Sequence, residues 1–290
     1  MGIALPLAVL SSLCFGLALV TGRIGLRSID ARSGAAVSIP TATLLFALAA
    51  PFTFDATGFS LIAAAWFALV GLIFPAVVTL LTFRSNETLG PTITGAVSGT
   101  APLFALLAAG LMLGERVPAS AAVASLAIVV GVALLSWRPD AIRPGFVGWA
   151  LLWPIAGAMV RGFAQAGAKA GLLLWPNPFA AGLIGYSIST VTVIGVNQIG
   201  RSRRPRLTKP GVAWFAATGV LNGGAVLLMY TALNVAPVSL IAPIVAAYPL
   251  VTTLVSAMVL RDEVVSLRMV AGATTTVLAV IYLVSSTGGA

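Results

Sequence analysis

Arg161 and Gln165 stand one helical turn apart in an otherwise apolar stretch, FVGWALLWPIAGAMVRGFAQAGAK, at 146–169. A guanidinium can grip a carboxylate or phosphate through two parallel N–H bonds. Deep in a membrane such a charge is costly and faces protein or water. The competing reading is an arginine that snorkels to the membrane surface, followed by an interfacial Lys169. Asn222, Tyr230, Tyr248, Thr94 and Ser98 are the further substrate-binding candidates. Asn222, in a glycine-bearing stretch, could orient an amide, hydroxyl or carboxylate, or bond a neighbouring helix.

The acids suggest different chemistry. Glu115 precedes Pro118, and Asp262 and Glu263 precede another apolar run. An acid at a helix N-terminus is stabilised by unsatisfied N–H groups and the helix dipole, so all three read as structural corners before proton carriers. Asp55 and Glu87 fall at span edges. No named carrier for a coupling proton emerges. Histidine is absent and Cys14 is the single cysteine. That leaves no Ser-His or Cys-His nucleophile pair, no disulfide framework and no His/Cys metal site. Gly25 and Gly34 follow no strand, so no phosphate cradle is read. An enzyme, a resident metal and a cofactor are therefore not expected.

The elements that must carry these residues follow from composition. Of the 290 residues 59% are hydrophobic, 8% are charged, and the mean hydropathy is +1.08. This is the balance of an all-α polytopic membrane protein. A span needs roughly 20 apolar residues. The charge-poor windows predict ten: 1–22, 33–54, 56–83, 88–114, 117–137, 146–169, 179–198, 211–231, 236–258 and 269–287. The first is read as a retained span because no positive n-region precedes it. Trp137, Trp149, Trp175 and Trp214 near span ends read as an aromatic belt.

The chain repeats itself. Pro102, Leu113 and Glu115 recur 147 residues later as Pro249, Leu260 and Asp262. Arg23 and Lys169 follow the first and sixth spans with nearly the same offset. The division is 1–137, a linker at 138–145, and 146–290. Five spans is an odd number, so the second copy enters upside down, giving two inverted five-helix repeats. Of the 16 basic residues, all but Arg116, Arg161 and Lys169 fall in alternate loops, including Arg201, Arg203, Arg204, Arg206 and Lys209. The positive-inside rule then places both termini outside the cytoplasm. The net charge of +9 reads as an orientation signal facing anionic lipid rather than a nucleic-acid surface.

Pro91 and Pro102 in span four, and Pro237, Pro243 and Pro249 in span nine, predict helix kinks. Freed carbonyls in lipid need a hydroxyl, water or another helix, and small polar residues accompany these prolines. Lining of a cavity and close helix contact both fit that composition.

Ala101-Pro102-Leu103-Phe104 through Leu113-Gly114-Glu115-Arg116, and Tyr248-Pro249-Leu250 through Leu260-Arg261-Asp262-Glu263, together with ten spans in two halves, resemble the drug/metabolite transporter superfamily in its EamA-like branch. The second corner departs from the usual Leu-Gly-Glu. The resemblance implies a central cavity between the halves and alternating access without ATP hydrolysis. The expected function is a secondary transporter in the inner (cytoplasmic) membrane, an exporter of small organic metabolites such as amino acids or related amphiphilic solutes. Its partners are that small-molecule substrate, the lipid bilayer, and a coupling proton or counter-substrate. The alternatives are a non-transporting membrane scaffold and a transporter of lipid-linked or phosphorylated solutes.

Overall fold

A computed structural model describes residues 2–136, 148–198, 207–259 and 267–287. The helices are α1 (Ala4–Gly25), α2 (Ala31–Thr53), α3 (Leu61–Ile73), α4 (Ala76–Ser98), α5 (Ala101–Leu113), α6 (Ala119–Ser136), α7 (Leu152–Leu174), α8 (Pro178–Gln198), α9 (Lys209–Val235), α10 (Val238–Val245), α11 (Tyr248–Val259) and α12 (Leu267–Thr287). A single 3-10 turn, Gly148–Leu151, leads into α7. No strand occurs among the described residues. Seven helical stretches there are long and apolar enough to cross a membrane, and Ala101–Leu113 and Ala119–Leu135 are shorter apolar helices.

Local chemistry sets the helix ends. Asp30 accepts from the Ser33 amide at 2.9 Å and starts α2, while Ser60 accepts from the Ala63 amide at 3.3 Å and starts α3. Asn177 accepts from the Ala180 amide at 2.9 Å at the head of α8. Each satisfies one orphan donor of a first helical turn. Gly114 ends α5 with φ 62°, a left-handed conformation that a Cβ would disfavour.

The expected kinks are in part realised as breaks. Pro102 lies in the first turn of α5 and Pro249 in the first turn of α11, where a missing N–H costs nothing. Pro237 is the N-cap of α10, extended at φ −70° and ψ 154°, so it precedes a helix rather than bending one. Pro243 is inside α10. Pro91 falls within the range of α4, but its side chain lies outside the described part. Within α4, the Ser85 and Thr94 hydroxyls lie 2.6 Å apart. Nine residues of straight helix would separate them by ~13 Å, so the chain folds back between them. α4 thus holds the end of the third predicted span and the beginning of the fourth. With α3–α4, α4–α5 and α10–α11 each taken as one span, the helices follow the ten predicted windows.

The helices form two compact units, one of residues 1–79 and 167–235 and the other of 80–166 and 236–290. Each combines segments from both of the divisions read in the sequence, because compactness comes from which helices touch and not from their order along the chain. The linker at 138–145 lies outside the described residues.

In the first unit α1 lies against α9, α2 against α8 and α9, and α3 against α8. Lipid removes the hydrophobic drive between helices, so contact must be close or hydrogen-bonded. Both occur. A Cβ on Gly71 would stand 2.5 Å from the Gly185 carbonyl oxygen, so α3 and α8 touch backbone to backbone. Ser189 donates to the Gly71 carbonyl at 2.5 Å, Ser11 to the Ala225 carbonyl at 2.7 Å, and Thr43 to the Tyr186 carbonyl at 2.9 Å. Trp175 is 1% exposed. Its ring meets Phe54, Phe59 and Phe67, and its Nε1 donates to the Thr57 carbonyl at 3.0 Å. It is therefore a core residue of the loop end and not part of a lipid-facing belt.

In the second unit α6 lies along α12, and α10 lies against α5, α6 and α12. Ile128 and Val132 on α6 meet Ala279 on α12. Gly131 and Gly272 permit this crossing, since a Cβ on Gly131 would fall 2.8 Å from the Gly272 carbonyl oxygen. A Cβ on Gly162 would fall 2.6 Å from the Ala105 amide nitrogen, so α7 rests directly on the backbone of α5.

Candidate functional site

Arg161 sits on α7 immediately before Gly162, the point where α7 meets α5. Its Nη1 donates to the Tyr248 hydroxyl at 3.1 Å, and its guanidinium carbon lies 5.7 Å from the Tyr248 ring centroid. Tyr248 opens α11. Break and proline thus place an aromatic hydroxyl at the head of a helix, within reach of a cation on another. Gln165 follows one turn along α7 and is 8% exposed. The structure brings Arg161 and Tyr248 together in the second unit, with Gln165 one turn along α7 from Arg161.

Two atoms of this group lack partners. Arg161 Nε and Gln165 Oε1 are both buried without a hydrogen bond. An unmet buried donor or acceptor costs about 1–3 kcal/mol, and more when charged. Such groups in a native fold call for a specific reason. With Nη1 held by Tyr248, the buried Nε is left as a donor whose need a carboxylate, phosphate or water would meet.

Three other half-buried charges have structural partners. Lys169 donates from Nζ to the Leu233 carbonyl at 2.6 Å, at the last turn of α9. Arg32 donates to the Val196 carbonyl at 2.5 Å, near the end of α8. Both place a cation on a helix C-terminus, where dipole and orphan carbonyls favour it. Glu115 accepts from the amides of Val238 at 3.1 Å and Ser239 at 2.9 Å, and from the Ser239 hydroxyl. The acid therefore caps α10, not α6, the helix that follows it in the chain. The reason is local: the N-cap of α10 is Pro237, which has no side chain to offer. Arg161 differs in the contact it makes: its Nη1 bonds a tyrosine hydroxyl and no backbone group of a helix end.

Asn222 is half-buried and Tyr230 is 4% exposed; both are on α9 in the first unit. Thr94 is buried and engaged with Ser85, and Ser98 is the half-buried last residue of α4. Asp262 and Glu263 lie outside the described residues. Asp55 is in the exposed loop after α2, where the Thr57 hydroxyl and amide hold its carboxyl below the usual range. Trp153 is the residue that sequence reading passes over. Its Nε1 is buried and unpartnered, two turns before Arg161 on α7. That spacing was its only signal, and a tryptophan near a span end reads first as a membrane anchor.

Comparison with known proteins agrees with this architecture. Residues 2–137 match the EamA-like transporter family. A solved structure titled only "Crystal structure of protein" superposes with a TM-score of 0.79 at 15% identity, over 96% of this chain and 95% of that one. The likeness is one of fold. No curated protein matches the sequence significantly. Residues 2–137 are thus similar to an EamA-like transporter domain, and the seven long apolar helices among the described residues mark the chain as a multi-pass membrane protein.

Proposed function

We propose that the chain is a secondary active transporter that exports small organic metabolites, amino acids or related amphiphilic solutes, by alternating access across the cytoplasmic membrane. The observation that carries this reading is Arg161. It is a cation within an apolar helix, braced by Tyr248, with a buried Nε that has no partner. Arg32, Lys169 and Glu115 bond backbone groups of helix termini, whereas Arg161 bonds a side-chain hydroxyl one turn from the buried Gln165, which suits it to hold a substrate carboxylate. Ser98 and Thr94, in the same unit as Arg161, supply further polar contacts in this reading. The driving partner is a proton or a counter-substrate.

The test is flux in proteoliposomes with a panel of carboxylate-bearing solutes, with and without a pH gradient. A charge-assisted hydrogen bond contributes about 1.5–3 kcal/mol, so Arg161→Ala should reduce flux of the accepted solute by roughly 10- to 100-fold. Membrane abundance and thermal stability should stay near wild type. Unchanged flux through the variant removes Arg161 from the binding role.

A further inference from the structure

We propose that Gln165 sets the specificity of the Arg161 site by accepting a hydrogen bond from the substrate. The site then selects solutes that pair an anionic group with an N–H or O–H donor. The proposal rests on Arg161 being the anion-binding group.

The argument is one of donor and acceptor polarity. Arg161 Nε can only donate and Gln165 Oε1 can only accept. Both are buried and both lack a partner. On a helix, residues four apart lie ~6 Å along the axis and share a face. If the two atoms met, each would satisfy the other. No hydrogen bond joins them, so each is left to be satisfied by a third group. A solute that satisfies both must offer an acceptor to Arg161 and a donor to Gln165. A carboxylate with an ammonium, amide or hydroxyl group meets that demand. A plain carboxylate leaves Gln165 Oε1 unmet, and a dicarboxylate or phosphate adds lone-pair repulsion against it. The position is well built for discrimination. Gln165 is 8% exposed, and the contact of Gly162 with α5 fixes this part of α7 in place. A site that hydrogen-bonds a substrate group rejects the analogue lacking it far more strongly than an apolar pocket does.

The experiment is thermal stabilisation of the full chain in detergent by size-matched probes. Glycine, β-alanine and 4-aminobutyrate are each set against acetate, propionate and butyrate, with malonate and succinate as acceptor-only probes. In wild type, at least one donor-bearing probe should stabilise at a concentration about tenfold or more below its plain partner. Gln165→Leu should abolish that difference. Gln165→Glu, which keeps an acceptor and adds charge, should preserve or widen it for the ammonium probes and shows that the position tolerates change. Arg161→Ala should abolish stabilisation by all of them. Equal response to matched pairs, preference for the dicarboxylates, no response to any donor-bearing probe, or a difference that survives Gln165→Leu each overturn the proposal. If Arg161→Ala removes binding while the difference survives Gln165→Leu, the Gln165 proposal fails and the Arg161 reading stands. If Arg161→Ala leaves every probe bound, the Arg161 reading fails as well.

Discussion

Arg161 and Lys169 lie eight residues apart on α7 and carry the same charge, yet their surroundings assign them different work. Lys169 meets a backbone carbonyl at the end of α9, whereas Arg161 meets a tyrosine hydroxyl and has a buried Nε without a hydrogen bond. Composition cannot separate them, because both look like cations in an apolar helix. Glu115 shows the same limit from the acidic side. A helix-capping role follows from its residue type and the nearby proline, but the helix it caps is 123 residues away. Glu115→Ala should leave the α10 amides without their carboxylate and lower stability by about 1–2 kcal/mol, read as a fall in melting temperature. Glu115→Gln retains an acceptor oxygen and should recover part of that loss. If Glu115 instead carried a coupling proton, Glu115→Gln would keep full stability and lose pH-driven flux, an outcome that would end the capping account.

At the level of elements, small residues decide which helices can touch. α6 and α12 cross at Gly131 and Gly272, with Thr276 bonded back to the Gly272 carbonyl at 2.9 Å. Gly131→Val would place side-chain atoms where backbone now lies. It should destabilise the chain by about 1–3 kcal/mol, as overfilled contacts do, with a matching fall in melting temperature in detergent. An unchanged melting temperature would show that α6 and α12 do not meet this closely. The prolines work at the same scale. Pro102 and Pro249 mark restarts of a helix, and the second restart brings Tyr248 to Arg161. The sequence shows that a helix is interrupted there. It does not show whether the interruption is a bend or a break, since both relieve the same missing N–H.

For the whole molecule, the loop charges predict that both termini face away from the cytoplasm. A reporter active only outside the cytoplasm, fused after Ala290, should be active, and one that requires the cytoplasm should be silent; the reverse pattern would overturn the assignment. The membrane class, the all-helical build and the ten windows were legible without coordinates. They depend on hydropathy and charge along the chain, and lipid leaves a buried apolar backbone few choices but the helix. The EamA-like resemblance rested on the same linear marks, above all the proline and acid corner at 101–116. Tertiary structure decided the rest. It set which segments form each compact unit, turned Trp175 into a core residue, and sent Glu115 to α10. It also distinguished the three charges that serve helix ends from Arg161. Those outcomes depend on which groups meet across more than 60 residues of chain (Arg161 with Tyr248, Lys169 with Leu233, Glu115 with Ser239). Hydrogen-bond partnership is a property of position in space, and residue type sets only what each group is able to accept or donate.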